Sequence, residues 1–146
     1  MSICWEILIF IFIIFWAAED VRTGGVGWLG MVLLSIMGAA ARLLTGKASV
    51  LGLVSSMLPG LLLIPLSFAG DRYIGGGDVL GFLVCGIYIG FSGTFELMML
   101  SFAGAGIWGL FLLKIRKKDR TSGFPFFPFL LAAQGIRLVL MLIQNM

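Results

Sequence analysis

Long apolar runs restrict this chain more than any other feature of its sequence. Six of them follow one another, separated by short polar connections, and the connection between the fourth and fifth is Ser92-Gly93-Thr94. A helix that crosses a bilayer needs roughly 17–25 mostly apolar residues, so the pattern predicts membrane-spanning helices. The first and fourth runs reach that length only if neighbouring residues extend them. The runs cover residues 3–18, 26–44, 50–69, 79–91, 95–113 and 125–143.

The composition agrees with a membrane protein. Of the 146 residues, 60% are hydrophobic and only 12% are charged, which is too little charge to cover a soluble domain of this size. We expect one all-α, polytopic membrane domain over residues 1–146, with about six transmembrane helices and a bilayer as its surroundings. The first run lacks the positively charged start of a signal peptide, so we expect it to be retained.

The distribution of basic residues predicts the orientation. Arg42 and Lys47 lie near the connection after the second run and Ser92-Gly93-Thr94 has no basic residue, whereas the other three connections together carry seven. The positive-inside rule places these three in the cytoplasm, with both termini on the opposite side. The net charge of +3 is therefore a topology signal, and no nucleic-acid partner is expected. The basic residues are Arg22, Arg72, Lys114, Arg116, Lys117, Lys118 and Arg120.

The residue types that are missing narrow the chemistry. The chain has no histidine, which removes Ser-His and Cys-His catalysis and most catalytic zinc sites. Cys4 and Cys85 lie far apart in apolar runs and are expected to be buried small side chains. No metal or other cofactor is expected.

Asp20 and Asp78 are the strongest candidates for a functional site. Each lies where an apolar run meets a connection predicted to be cytoplasmic, and ionisable residues at such places are costly and often functional. Structural alternatives exist: Asp20 could pair with Arg22, and Asp78 could cap a helix. The three glycines 75–77 favour a functional role of Asp78 over a capping role, because they weaken a helix and let another backbone approach closely.

The other acidic residues fit structural roles. Glu6 and Glu96 fall near the outer ends of their runs, where they could be interfacial or pair with Arg137 or Lys47; Arg137 itself could extend to the membrane surface. Glycines of the fourth and fifth runs, among them Gly86 and the more distant Gly106 and Gly109, predict close helix packing. Local roles are expected for the remaining acids, which are Glu19, Asp71 and Asp119.

Three segments together resemble a known family. Asp20-Val21-Arg22 is similar to the first aspartate motif of the type IV prepilin peptidases, and the segment from Gly75 to Val79 resembles their Gly-x-Gly-Asp motif. The segment Phe124-Pro125-Phe126-Phe127-Pro128-Phe129-Leu130 is similar to the Pro-Phe-x-Pro-Phe segment that opens their last span. The resemblance covers nearly the whole chain in order.

The resemblance implies an aspartic endopeptidase of the inner membrane whose active site faces the cytoplasm. Asp20 and Asp78 would be catalytic, with Gly75, Gly77 and Arg22 as supporting residues. The substrates would be prepilins or pseudopilins, cleaved after a basic leader. The paired Cys-x-x-Cys insert that accompanies N-methylation is absent, so peptidase activity alone is expected. The oligomeric state stays open.

The sequence departs from the usual pattern of this family in two places. Val26-Gly27-Trp28 stands where the family usually has Ile-Pro-Asn, and Leu80 stands where a lysine is common.

A small transporter or channel subunit could use the same carboxylates as proton or cation sites, although such sites usually lie near the bilayer midplane. A non-catalytic assembly protein is the third interpretation.

Overall fold

The computed structural model describes residues 3–68, 74–115 and 125–144, and within these ranges the chain is helical with short connections and no strand. The predicted all-α class is confirmed. The helices are α1 (Ile3–Thr23), α2 (Trp28–Leu44), α3 (Val50–Leu61), α4 (Ile64–Phe68), α5 (Gly76–Ile115) and α6 (Phe127–Gln144). Several residues discussed above lie outside the described ranges, namely Asp71, Arg72, Arg116, Lys117, Lys118, Asp119, Arg120 and Phe124.

Three helical stretches are long and apolar enough to cross a membrane: Val50–Phe68, Gly76–Leu112 and Phe127–Gln144. The helix α2 is apolar but has 17 residues, and α1 has 21 residues but carries four charged ones. The helix α1 also continues past the predicted end at residue 18. These apolar helices indicate a membrane protein.

The helix α5 consists of two segments that fold back on one another at Gly90. The φ of 77° and ψ of 177° at Gly90 are not helical, and this combination is essentially restricted to glycine. The rings of Phe82 and Phe102 lie 5.8 Å apart, whereas a straight helix would separate these residues by roughly 30 Å. The predicted connection at Ser92-Gly93-Thr94 was wrong, because these residues are helical and the reversal precedes them.

The end of α2 packs against the reversal at Gly90. The guanidinium of Arg42 donates to the carbonyl oxygen of Ile87, which lies in the last turn before the break, where carbonyls lack a partner within their helix. The hydroxyl of Tyr88 donates to the carbonyl oxygen of Leu34 at 2.9 Å. A charged side chain and a phenol thus satisfy backbone groups and hold α2 to α5.

Small residues bring α3 close to the first segment of α5. A Cβ at Gly86 would lie 2.4 Å from the carbonyl oxygen of Ser56, and a Cβ at Gly60 would lie 2.8 Å from the backbone of α5. The predicted close packing is therefore confirmed at Gly86. It was wrong at Gly106 and Gly109, where a Cβ would meet no atom of the described part of the chain within 4 Å.

The helix α3 is separated from α4 by a two-residue turn. Pro65 follows this turn, and a proline ring clashes with the carbonyl four residues earlier, which here belongs to Leu61, the last residue of α3. The predicted third run is thus one apolar stretch with a break, rather than a continuous helix.

The helices α1 and α6 run antiparallel. The end of α1 meets the start of α6, and the start of α1 meets the later turns of α6. Between these contacts the interface is apolar and buried, with Ile9 and Ile13 fully inaccessible. The helix α5 packs against both helices, so α1, α5 and α6 form the part of the bundle that carries the two aspartates.

Candidate active site

Asp20 lies in the last turn of α1 and caps the start of α6. Its Oδ2 accepts a hydrogen bond from the backbone N–H of Phe127 at 3.1 Å, and the residue is only 8% exposed. The first N–H groups of a helix have no partner within that helix. The alternative pairing with Arg22 was wrong, because Arg22 is exposed and forms no ion pair among the described residues.

The chain turns immediately after Asp20. Gly24 has a φ of 72°, and its N–H donates to the carbonyl oxygen of Asp20 at 2.9 Å. The hydroxyl of Thr23 lies 2.9 Å from the carbonyl oxygen of Glu19 and 2.7 Å from that of Gly25. A left-handed residue after the last turn is the usual way to end a helix. Asp20 is therefore held at a fixed helix end.

Asp78 lies in the first turn of α5. The helix begins at Gly76, so Asp78 is its third residue and not the N-cap that the structural alternative assumed. The Asp78 N–H donates to the carbonyl oxygen of Gly75 at 3.0 Å. A Cβ at Gly75 would lie 3.2 Å from Asp78 Oδ2. The carboxyl thus reaches back over Gly75, as an acidic residue does in a capping box.

The backbone beside Asp78 is open on one side. Among the described residues, a Cβ at Gly76 or Gly77 would meet no atom within 4 Å, and a Cβ at Gly75 would meet only the Asp78 carboxyl. A second polypeptide backbone could therefore approach this segment closely, as the glycine run predicts.

Phe127 lies between the two aspartates and brings them together. Its ring packs edge-on against Trp16, one turn before Asp20, with centroids 6.1 Å apart. The same ring would lie 3.0 Å from a Cβ at Gly81, about one turn after Asp78. The carboxyls are close enough for the charge of Asp20 to act on Asp78. The start of α6 thus joins the acidic end of α1 to that of α5.

Phe127 is the site residue that the sequence interpretation missed. It lies within the segment that carries the family resemblance, but its contribution to Asp20 is a backbone N–H. Pro128 was an available signal, because proline is favoured in the first turn of a helix. It marks the start of α6 and hence the position of free N–H groups.

A second polar cluster joins α1, α5 and α6 away from the aspartates. Arg137 lies 3.2 Å from Glu6 Oε2 and 3.2 Å from Glu96 Oε2. Gln134 Nε2 donates to Glu6 Oε2 at 2.7 Å. The predicted pairing of both glutamates with Arg137 is confirmed. The prediction that Arg137 reaches toward the membrane surface was wrong, since the residue is 7% exposed and enclosed by the cluster.

The described residues form no group of three or more histidine, cysteine, aspartate or glutamate side chains that could hold a metal ion. Cys85 is buried and Cys4 is exposed, so burial was correctly predicted only for Cys85.

Two neighbouring carboxyls beside an accessible backbone can exchange protons with water and with a bound peptide group.

Comparisons of the chain with protein-family models, with curated proteins and with solved structures find no match.

Proposed function

We propose that this protein is a membrane aspartic endopeptidase of the prepilin type, with Asp20 and Asp78 as its catalytic pair. The observation that carries the proposal is that Asp20, bound to the Phe127 N–H at the start of α6, lies within electrostatic range of Asp78. They come from helices that are far apart in sequence, beside a backbone segment without side chains. The resemblance of the three motifs supplies the family and the substrate class.

The mechanism follows from the chemistry of two adjacent carboxyls. In the proposed mechanism the two carboxyls hold one proton between them at the start of the cycle. The ionised member takes a proton from a water molecule as that water attacks the scissile carbonyl, and the protonated member donates to the carbonyl oxygen. The cycle needs no metal or organic cofactor.

The proposed topology has six membrane crossings. The two segments of α5 serve as separate crossings, and α1 and α2 add to the three apolar stretches. Arg22 and Lys114 lie at the end of the bundle that carries the aspartates, and Lys114 is followed in the sequence by four further basic residues; Arg42 and Lys47 lie at the Gly90 end. By the positive-inside rule the aspartates face the cytoplasm and both termini face out. The family resemblance implies that the membrane is the inner (cytoplasmic) membrane.

The proposed substrates are prepilins or pseudopilins. Such chains carry a short basic leader and a glycine before an apolar helix, so a cut at the membrane boundary suits a site at helix ends. The open backbone at Gly75 to Gly77 would contact the extended segment around the scissile bond. Arg22, exposed beside Asp20, would act as a supporting charge.

Single substitutions of the two aspartates test the proposal. Asp20→Asn and Asp78→Asn, each co-expressed with a prepilin, should lower leader removal by about 10²–10⁴-fold, the usual contribution of a general acid or base. The readout is the gel mobility of the substrate. Glu19→Gln is the matched control, since Glu19 adjoins Asp20, and it should retain full activity. Normal processing by either asparagine variant would refute the assignment.

The buried Glu6 favours one rival function, a small proton- or cation-coupled transporter, because a carboxylate inside a membrane bundle is costly and often functional. Its ionic and hydrogen-bonding partners, Arg137 and Gln134, account for its burial without transport. Ion flux into liposomes containing the purified protein, together with no peptidase activity, would establish the rival.

A further inference from the structure

We propose that the Glu6–Arg137 ion pair sets the register of α1 against α6 and thereby positions Asp20. The pair lies roughly 21 Å from Asp20 along α1, at 1.5 Å per residue, so it does not touch the catalytic pair. Glu6 and Arg137 are positioning residues. The activity readout rests on the proposed function, whereas the structural readout does not.

Polar contacts lie at both ends of the α1–α6 interface. At one end Asp20 accepts from the Phe127 N–H at 3.1 Å. At the other end Glu6 meets Gln134 at 2.7 Å and Arg137 at 3.2 Å. The buried stretch between them is apolar. In a bilayer, apolar side chains can pack against lipid almost as favourably as against another helix. The polar contacts therefore distinguish one helix register from another better than the apolar contacts do.

Contacts with α5 and α6 hold the Arg137 side chain in place, so that α1 can be positioned against it. A Cβ at Gly93 would lie 2.7 Å from Arg137 Nη2, so the guanidinium packs directly on the backbone of the second segment of α5. Arg137 Nη1 also donates to Gln134 Oε1 at 3.1 Å. The guanidinium is therefore held by α5 and α6, and Glu6 is the residue through which α1 joins it.

The two glutamates that share Arg137 differ in their surroundings. The Glu6 side chain is 1% exposed, and the Glu96 side chain is 60% exposed. A buried ion pair loses far more than an exposed one when a partner is removed, and such pairs can specify register. Loss of the Glu6 charge should let α1 rotate or slide, which displaces Asp20 from Phe127 and Asp78.

Glu6→Gln and Glu96→Gln form a matched pair of variants. Because small displacements of a catalytic group are costly, Glu6→Gln should lower kcat for prepilin cleavage by about 10- to 100-fold with KM unchanged. Glu96→Gln should leave both constants within about twofold, because the Glu96 carboxylate is largely solvated and its ion pair is screened. Equal effects of the two variants, or an effect on KM alone, would overturn the proposal.

A distance measurement tests the register without any activity. Spin labels on cysteines at the exposed positions Phe15 in α1 and Val139 in α6, in a Cys4→Ser background, report the helix offset by pulsed electron resonance. Glu6→Gln should shift or broaden the distance distribution, and Glu96→Gln should not. An unchanged distribution in Glu6→Gln refutes the register role even if the aspartate variants confirm the peptidase. A shifted distribution supports it even if they do not.

Discussion

Asp20 combines a structural contact with the proposed chemistry. Its carboxyl oxygen accepts the Phe127 N–H at the start of α6 and lies within electrostatic reach of Asp78. Activity alone cannot separate these roles, because loss of the cap would also disturb the site. An asparagine keeps an oxygen acceptor of the same geometry, whereas an alanine has none.

Asp20→Asn and Asp20→Ala should therefore differ in stability but not in activity. Alanine removes the cap of α6 and should cost about 0.5–2 kcal/mol relative to the protein with aspartate, whereas asparagine is nearly as good a cap. Both variants should be inactive as peptidases. Thermal unfolding in detergent measures the stability, and equal melting temperatures for the two variants would show that the cap contributes nothing.

Residue identity allowed part of this site to be predicted. Asp20 and Asp78 were recognisable because carboxylates at the ends of apolar runs are rare. The partner of Asp20 was not, since a backbone N–H leaves no mark in the residue type at Phe127. The pairing of Arg137 with Glu6 and Glu96 could be anticipated from charge, but its burial depended on how three helices pack.

At the scale of single elements, Gly90 has the largest structural consequence. It is where α5 reverses, and its φ of 77° with ψ of 177° is a combination that other residues adopt only with strain. The reversal places Phe82 against Phe102 and brings the first and last turns of α5 to the same end of the bundle. Hydropathy could predict that two spans meet here but not the residue at which they do.

Gly90→Ala should destabilise the protein by about 1–3 kcal/mol, the usual cost of such strained backbone conformations. Gly106→Ala is the matched control in the same element, because a Cβ there would meet none of the described atoms within 4 Å. Alanine at position 106 should be neutral or stabilising by up to about 1 kcal/mol. Chemical or thermal unfolding of both variants in the same detergent measures the difference, and equal stabilities would contradict the reversal at Gly90.

At the scale of the whole molecule, the apolar runs predicted the order and approximate bounds of the helices. Breaks within runs were less predictable, because they depend on single residues such as Pro65 and Gly90. Helix lengths were also misjudged where charged residues continue a helix, as Glu19 and Asp20 do in α1. The length of an apolar run shows how much of a helix can lie in lipid, whereas the residue at which a helix ends depends on its backbone hydrogen bonds.

The proposed membrane orientation makes a prediction for the two ends of α2. This helix spans roughly 26 Å at 1.5 Å per residue, close to the ~30 Å hydrocarbon thickness of a bilayer. Gly25 precedes it at the end that carries the aspartates, and Lys47 follows it at the Gly90 end; both are exposed. The two positions should therefore face opposite aqueous compartments.

Single cysteines at these positions, in a Cys4→Ser background, report the orientation through a membrane-impermeant maleimide. Lys47→Cys should react in intact cells, whereas Gly25→Cys should react only after the membrane is permeabilised, since the positive-inside rule places that end in the cytoplasm. A Cβ at Gly25 would meet no atom within 4 Å in residues 3–68, 74–115 and 125–144, so the substitution should not disturb the turn. The reverse pattern would place Asp20 and Asp78 on the outer face, where a cytoplasmic leader could not reach them, and labelling of both positions in intact cells would show that α2 does not cross the membrane.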